Sequence, residues 1–148
     1  MLFRSTNLGA LDSTQIQSLT TTQIGGLATT QISALSTTNV SEFADTQLAK
    51  FSATQLAALS VTNFSALDAT QVGGLTTTQI SGLSTTVIRG LNETDVGEFS
   101  TTQLGALSST QIGSLTSTAF SALDGTQVGS LSTTQLRGLR SEEHTSEL

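Results

Sequence analysis

The sequence contains no cysteine, proline, tryptophan or tyrosine, and only 11 % of its residues are charged. Without cysteine it has neither a disulfide framework nor a cysteine-ligated metal site. Five Lys and Arg residues stand against eleven Asp and Glu, and this net charge of −6 excludes the basic surface that nucleic-acid binding requires. We also predict no membrane span, because no apolar run approaches the roughly 18 residues that one needs. No basic-then-apolar signal segment begins the chain.

In place of these features the chain carries a short tandem repeat, the octad. Seventeen complete octads cover residues 3–138, with the consensus L-S-T-T-Q-I-G-A. Position 1 is Leu or Phe, position 4 is Thr and position 6 is apolar in every octad, and position 5 is Gln in eleven and Asn in three. The octad that begins at Leu11 returns at Leu67 and Leu123, so seven octads form a longer block that spans 11–66 and recurs at 67–122. We assign residues 1–139 to one repeat domain.

Each octad matches the start of one short helix. Position 2 is Ser, Thr, Asp or Asn in fourteen octads, which is the preference of a helix N-cap. A Gln at position 5, such as Gln23 or Gln79, then completes a capping box, and apolar residues at positions 1 and 6, such as Leu75 and Ile80, form a hydrophobic staple. Small residues at positions 7 and 8 are expected to let the following helix cross closely. One long helix is excluded, because its apolar stripe would rotate by about 80° per octad.

The pattern therefore predicts an all-α fold, a tight α-solenoid or superhelix of very short capped helices with one helix per octad. Burial of two aliphatic side chains stabilises one octad by less than the conformational entropy cost of ordering it. A single octad cannot fold alone, so stacking between octads must supply the difference. The alternative is a β-solenoid, since Thr and Ile favour strands and short repeats often form β-helices.

The invariant Thr at position 4 is interpreted as architectural. Its methyl group is expected to pack inward while its hydroxyl bonds a backbone group freed at a helix junction. The alternative is a regular Thr array that binds a repetitive ligand such as ice. The candidate structural residues are therefore the Thr of representative octads, together with the glutamines, leucine and isoleucine named above: Thr14, Thr22, Thr30, Thr78, Thr102, Thr134, Gln23, Gln79, Leu75 and Ile80.

The charged residues are given structural roles. Asp12, Asp68 and Asp124 stand at the N-cap position, which explains them. The acids of residues 42–45 and 93–98 are interpreted as exposed groups that keep the array in solution, since no loop offers the six or more oxygens of a Ca²⁺ site. No base accompanies a candidate nucleophile, and no phosphate-binding loop occurs. We expect no enzyme activity, no metal and no cofactor.

The C-terminal segment 140–148, RSEEHTSEL, leaves the octad register. This string resembles the in-frame translation of a common short-read sequencing adapter. The resemblance implies that residues 140–148 are a non-native polar tail and that the native chain continues with further octads.

The L-S-T-T-Q-I octads of residues 3–138 are similar to repeats in large bacterial adhesin-like or hemagglutinin-like proteins. The resemblance implies a structural or spacer array from a secreted or cell-surface protein, without chemistry of its own. The alternative is a binding module whose Thr, Ser and Gln face contacts ice, carbohydrate or a protein partner. Neither end carries a polar capping repeat, so we also predict end-to-end self-association through the ends of the solenoid.

Overall fold

The computed structural model describes residues 5–143, and the side chains of residues 7–139. Across this range the chain is all-helical, and no strand occurs between residues 5 and 143. The first sixteen helices are four to six residues long, and the last is longer. The prediction of a solenoid of short helices, one per octad, is confirmed, and the alternative of a β-solenoid is excluded for these residues. The helices are α1 Ser5–Leu8, α2 Ser13–Gln17, α3 Thr21–Gly25, α4 Thr29–Ile32, α5 Thr37–Ser41, α6 Asp45–Leu48, α7 Ala53–Leu56, α8 Val61–Phe64, α9 Ala69–Gly73, α10 Thr77–Ser81, α11 Thr85–Gly90, α12 Glu93–Gly97, α13 Thr101–Ala106, α14 Ser109–Gly113, α15 Ser117–Ser121, α16 Gly125–Ser130 and α17 Thr133–Glu143.

Each octad starts its helix at the predicted place. The residue at position 2 has extended backbone angles, and in most octads its side chain accepts a hydrogen bond from the N–H of position 5. Thr76, for example, has φ −75° and ψ 156° and accepts from Gln79. The side-chain Oε1 of Gln79 in turn accepts from the N–H of Thr76 at 2.7 Å, which completes the capping box. The extended cap residue separates one helix from the next, so a new helix begins in every octad.

The short helices wind into a superhelix in which most helices pack against the helix three octads away. Hydrogen bonds between successive turns join residues that are 28 to 31 positions apart in sequence. One turn therefore contains between three and a half and four octads. The block of seven octads is 56 residues long, which is twice the 28-residue separation of these hydrogen bonds. Equivalent residues of successive blocks therefore lie near one side of the superhelix, two turns apart.

The apolar positions fill one continuous core along the superhelix axis. Every position-1 side chain from Leu19 to Leu131 is at most 8 % exposed, and every position-6 side chain from Leu8 to Ile112 is at most 1 % exposed. Leu75 and Ile80 are both buried, as predicted. Burial of two side chains in each octad of residues 19–114 gives the short helices the stability that their length alone could not provide.

The small residues at position 8 lie where successive turns touch. A Cβ added to Gly82 would lie 2.9 Å from the Cβ of Ala53, and one added to Gly90 would lie 2.5 Å from a methyl carbon of Val61. Position-7 glycines such as Gly73 and Gly97 have open space at the same point. The expectation that positions 7 and 8 admit the following helix is thus wrong in detail, because the close neighbour of Gly82 and Gly90 belongs to a helix three octads away.

The last helix departs from the octad pattern. Helix α17 continues through Leu139 to Glu143, so residues 140–143 of the predicted tail extend a helix that packs across α14. Gly138 lies against the backbone of Ser109, and Gly113 lies against the backbone of Gly138. Residues 144–148 lie outside the described residues, and the non-native origin of the tail stays a prediction.

Candidate functional site

The glutamine at position 5 binds two turns at once. The Oε1 atom of Gln79 accepts from the N–H of Thr76, the cap of its own helix. Its Nε2 atom donates to the carbonyl oxygens of Leu48 at 2.8 Å and Phe51 at 2.7 Å. Leu48 ends the helix of one octad in the preceding turn, and Phe51 begins the next octad. One amide therefore fixes the start of its own helix and ties it to the junction between two helices below.

The same arrangement recurs along the chain, and we call it the glutamine ladder. Each member donates from its side-chain amide to backbone carbonyls of the preceding turn. Asn63 reaches only the position-1 carbonyl of Leu35, at 2.8 Å, because its side chain is one methylene shorter. The glutamines of the ladder are Gln47, Gln55, Gln71, Gln79, Gln103, Gln111, Gln127 and Gln135.

Sequence reasoning assigned these glutamines to caps and missed their contact with the preceding turn. A signal for it was present, because a capping box accepts Glu as readily as Gln, yet no octad has Glu at position 5. Only the amides provide an N–H donor beyond the capping oxygen. The absence of Glu fits a position whose amide, in fourteen of seventeen octads, can donate as well as accept.

Gln23, the other candidate glutamine, has the cap but lies in a different environment. Its Oε1 accepts from the N–H of Thr20 at 2.8 Å, as in Gln79, but its side chain is exposed. Gln15 is exposed in the same way. Both belong to octads that have no described turn before them.

Three octads replace the amide at position 5. Val87 and Ala119 have no polar group there, and helices α11 and α15 have no capping box. Asp95 is 5 % exposed, and its Oδ2 accepts from the N–H of Asn92 at 2.9 Å and from the hydroxyl of Ser65 at 2.7 Å. The Ser65 hydroxyl, in the preceding turn, supplies the donor that a carboxylate lacks, and it keeps this buried oxygen paired.

The Thr at position 4 lies on the outer surface. All the candidate threonines, Thr14, Thr22, Thr30, Thr78, Thr102 and Thr134, are exposed. The expectation that their methyl groups pack inward is therefore wrong. Position 4 is the second residue of each helix and faces away from both the core and the neighbouring turns. Packing does not explain why all seventeen octads have Thr there.

Acidic residues recur along the chain at intervals of about one turn. They are Asp12, Glu42, Asp68, Glu98 and Asp124, and their spacing in sequence is close to the spacing of the hydrogen bonds between turns. The three aspartates are N-caps, as predicted, and accept from the N–H of position 5. Partial burial, and next the charges of Asp95 and Asp68, raise the pKa of Glu98 above its ordinary value.

The described residues hold no group of three or more acids and histidines placed to bind a metal ion. Among the helices that the structure describes, none has the length and hydropathy of a membrane span. Two shallow grooves lie between α12 and α15, beside Ala119 and Glu93. Every buried polar side-chain atom in the described range has a hydrogen-bond partner.

Residues 4–37 match the family model of the ALTTAQ repeat. The match supports the interpretation of this segment as a repeat array. No curated protein matches the chain, and no solved structure does so either.

Proposed function

We propose that the chain is a non-enzymatic spacer, a rod whose length is set by its number of octads. The observation that supports this proposal is the glutamine ladder. Each turn is tied to the turn before it by the same amide-to-carbonyl bonds, and nothing in this contact closes the array. Further octads can add further turns by repeating one interface, as in other solenoids.

Small-angle X-ray scattering tests this proposal. Duplication of the block 67–122 in frame should add two turns and lengthen the particle by about 20 Å, taking about 10 Å between packed helices. A matched control carries the same insertion with its four ladder glutamines changed to Glu, at Gln71, Gln79, Gln103 and Gln111 of the inserted copy. This control should fail to form the added turns. A native-like rod of unchanged length after the unmodified insertion would contradict the spacer proposal.

The similarity to repeats of bacterial adhesin-like and hemagglutinin-like proteins supports placing this spacer in a secreted or cell-surface protein. In that setting a rod without cysteine holds its shape through hydrogen bonds and apolar packing alone. Surface labelling of bacteria that express the natural chain would test the location. Label confined to lysed cells would contradict it.

A second candidate function is binding of a repetitive ligand by the exposed threonines. The observation that favours it is that position 4 is Thr in every octad although packing places no demand on it. Hydroxyl and methyl groups at regular spacing suit ice or a polysaccharide. This candidate requires a lateral surface, whereas the spacer role uses the turn-to-turn contact, so the two are separable by mutation.

An ice-recrystallisation assay tests the ice form of this candidate. Thr70→Lys, Thr78→Lys and Thr102→Lys together should abolish inhibition of crystal growth. The matched control places three lysines at exposed position-7 sites, Gly73→Lys, Ser81→Lys and Gly105→Lys, and should retain it. Absence of inhibition by the unmodified chain would exclude ice as the ligand.

A further inference from the structure

The glutamine ladder is interrupted around helices α11 and α12. Val87 and Asp95, at position 5 of these two helices, provide no side-chain amide to the preceding turn. In the following turn Ala119 provides none to the carbonyl oxygens of Ile88 and Leu91, although an amide there would reach both at the spacing that Gln103 uses. The interruption therefore lies both below and above the same pair of helices.

Ladder bonds resume on either side of this pair. Amides of the following turn donate to the carbonyl oxygens of Leu83 at 2.7 Å and Phe99 at 2.8 Å. Between these two junctions lie residues 84–96, which we call the α11–α12 segment. Among the residues that the structure describes, one side-chain hydrogen bond joins this segment to a neighbouring turn, from the Ser65 hydroxyl to Asp95. Packing holds the rest of the segment in place.

The first block carries amides where the second block lacks them. Gln31, Asn39 and Asn63 stand at the three equivalent positions. Asn63 donates to the carbonyl oxygen of Leu35 at 2.8 Å, a bond that Ala119 cannot make one block later. The interruption thus follows from the three residues of the second block and not from the octad pattern itself.

We propose that the α11–α12 segment opens as a unit while the turns on both sides stay folded, and that it forms a hinge within the rod. Local opening at a free energy below that of global unfolding occurs where a structure has the fewest contacts. Asp95 favours it further, because its carboxylate is 5 % exposed and accepts from neutral N–H and O–H groups, so opening returns it to water. The ladder bonds at Leu83 and Phe99 limit the opening to this segment.

The hinge goes beyond the proposed spacer function, and the two fail separately. A rod that lengthens with added octads but shows no local opening would overturn the hinge and leave the spacer function intact.

Limited trypsin digestion of the full chain tests the hinge. Arg89 lies in the α11–α12 segment, whereas Lys50 lies between two octads with ladder glutamines, Gln47 and Gln55. Both basic side chains are exposed, so cleavage reports the opening of the backbone around them. Lys50→Arg gives the two sites the same residue. In this background, cleavage after Arg89 should be faster than cleavage after residue 50 by about tenfold or more, as two missing hydrogen bonds predict.

A variant that restores the amides should close the hinge. Val87→Gln, Asp95→Asn and Ala119→Gln together should slow cleavage after Arg89 by about tenfold or more. Cleavage after residue 50 should not change. The matched control, Val87→Met with Ala119→Met, adds side chains of similar length without donors and should keep the fast cleavage. Asp95→Asn alone retains the capping bond and adds one donor, so it should slow cleavage by about fivefold even if the triple variant does not fold.

Hydrogen exchange followed by mass spectrometry gives a second measurement. Residues 84–96 should exchange faster than helices α10 and α13, which lie on either side of them in the chain. Even exchange from α10 to α13, or equal cleavage at the two sites, would overturn the proposal. Fast cleavage after Arg89 that Asp95→Asn does not slow would also overturn it, because the opening would then not depend on the missing amides.

Discussion

The side-chain amide of Gln79 donates to the carbonyl oxygen of Phe51 at 2.7 Å, across one full turn of the superhelix. This bond connects one turn to the next. It uses the same side chain that caps helix α10, so the local helix start and the long-range stacking depend on one residue.

Gln79→Glu should destabilise the protein by about 2–3 kcal/mol, because a buried carboxylate would face two carbonyl oxygens without a donor. Gln23→Glu is the matched control. Its octad has the same N-cap and the same capping bond, but its side chain is exposed. Urea unfolding should show a change within about 0.5 kcal/mol for this control. Equal losses in both variants would show that the cap, and not the ladder, carries the stability.

Ala119→Gln should stabilise the protein by about 1 kcal/mol. The new amide can accept from the N–H of Thr116 and donate to the carbonyl oxygen of Leu91, the position-1 residue one turn earlier. The grooves beside Ala119 provide space for the longer side chain. Ala119→Glu restores only the capping bond and should give less stability than Gln in thermal unfolding. A Glu variant as stable as the Gln variant would show that the amide-to-carbonyl bond to the preceding turn adds nothing at this octad.

Gly90→Ala should destabilise the protein, because its Cβ would lie 2.5 Å from a methyl carbon of Val61. We expect a cost of about 1–3 kcal/mol, typical of overpacking. Gly97→Ala meets open space and should stabilise its helix by up to about 1 kcal/mol. Adding Val61→Ala to Gly90→Ala should recover part of the loss. If chemical unfolding shows no such coupling, the two turns do not meet at this pair.

Thr78→Val and Thr78→Ser should each change the unfolding free energy by no more than about 0.5 kcal/mol, because Thr78 is exposed. Leu75→Ala, in the same octad, should cost about 2–4 kcal/mol, since Leu75 is 4 % exposed. Urea unfolding of the three variants makes the comparison. A loss above about 1 kcal/mol in both Thr78 variants would return the threonine to the architectural role expected from sequence.

Glu98→Gln should stabilise the protein modestly at neutral pH. Burial and the charges of Asp95 and Asp68 raise the Glu98 pKa, so the folded state binds the proton more tightly than the unfolded state. The ionised form therefore reduces stability above the raised pKa. This penalty decreases as the pH falls through that pKa and vanishes below the ordinary value of 4.5.

Thermal unfolding across pH should thus show the Gln variant's advantage disappearing in acid. Glu42→Gln is the matched control, at the same octad position one block earlier, with Asn39 where the later block has Asp95. An advantage of equal size at every pH, or an equal one in the control, would contradict this assignment.

The local structure could be derived from the sequence alone, because every signal for it lies within one octad. The N-cap at position 2, the capping oxygen of position 5 and the apolar pair at positions 1 and 6 are all near neighbours in the chain. Local geometry decides such contacts, so the helix starts and the two buried positions, such as Leu75 and Ile80, could be derived without a fold.

The three-dimensional structure was needed to show how the octads stack, since stacking depends on groups that are a full turn apart. It determined that three and a half to four octads complete a turn and that Gln79 bonds Phe51. It also determined that Gly90 meets Val61 and not the following helix. The inward packing expected of Thr78 failed for the same reason, because the sequence shows that a residue is invariant but not which side of the helix faces the neighbouring turn. The superhelix places position 5 between turns and position 4 outside them, and a displacement of one position along a short helix separates a buried amide from an exposed hydroxyl.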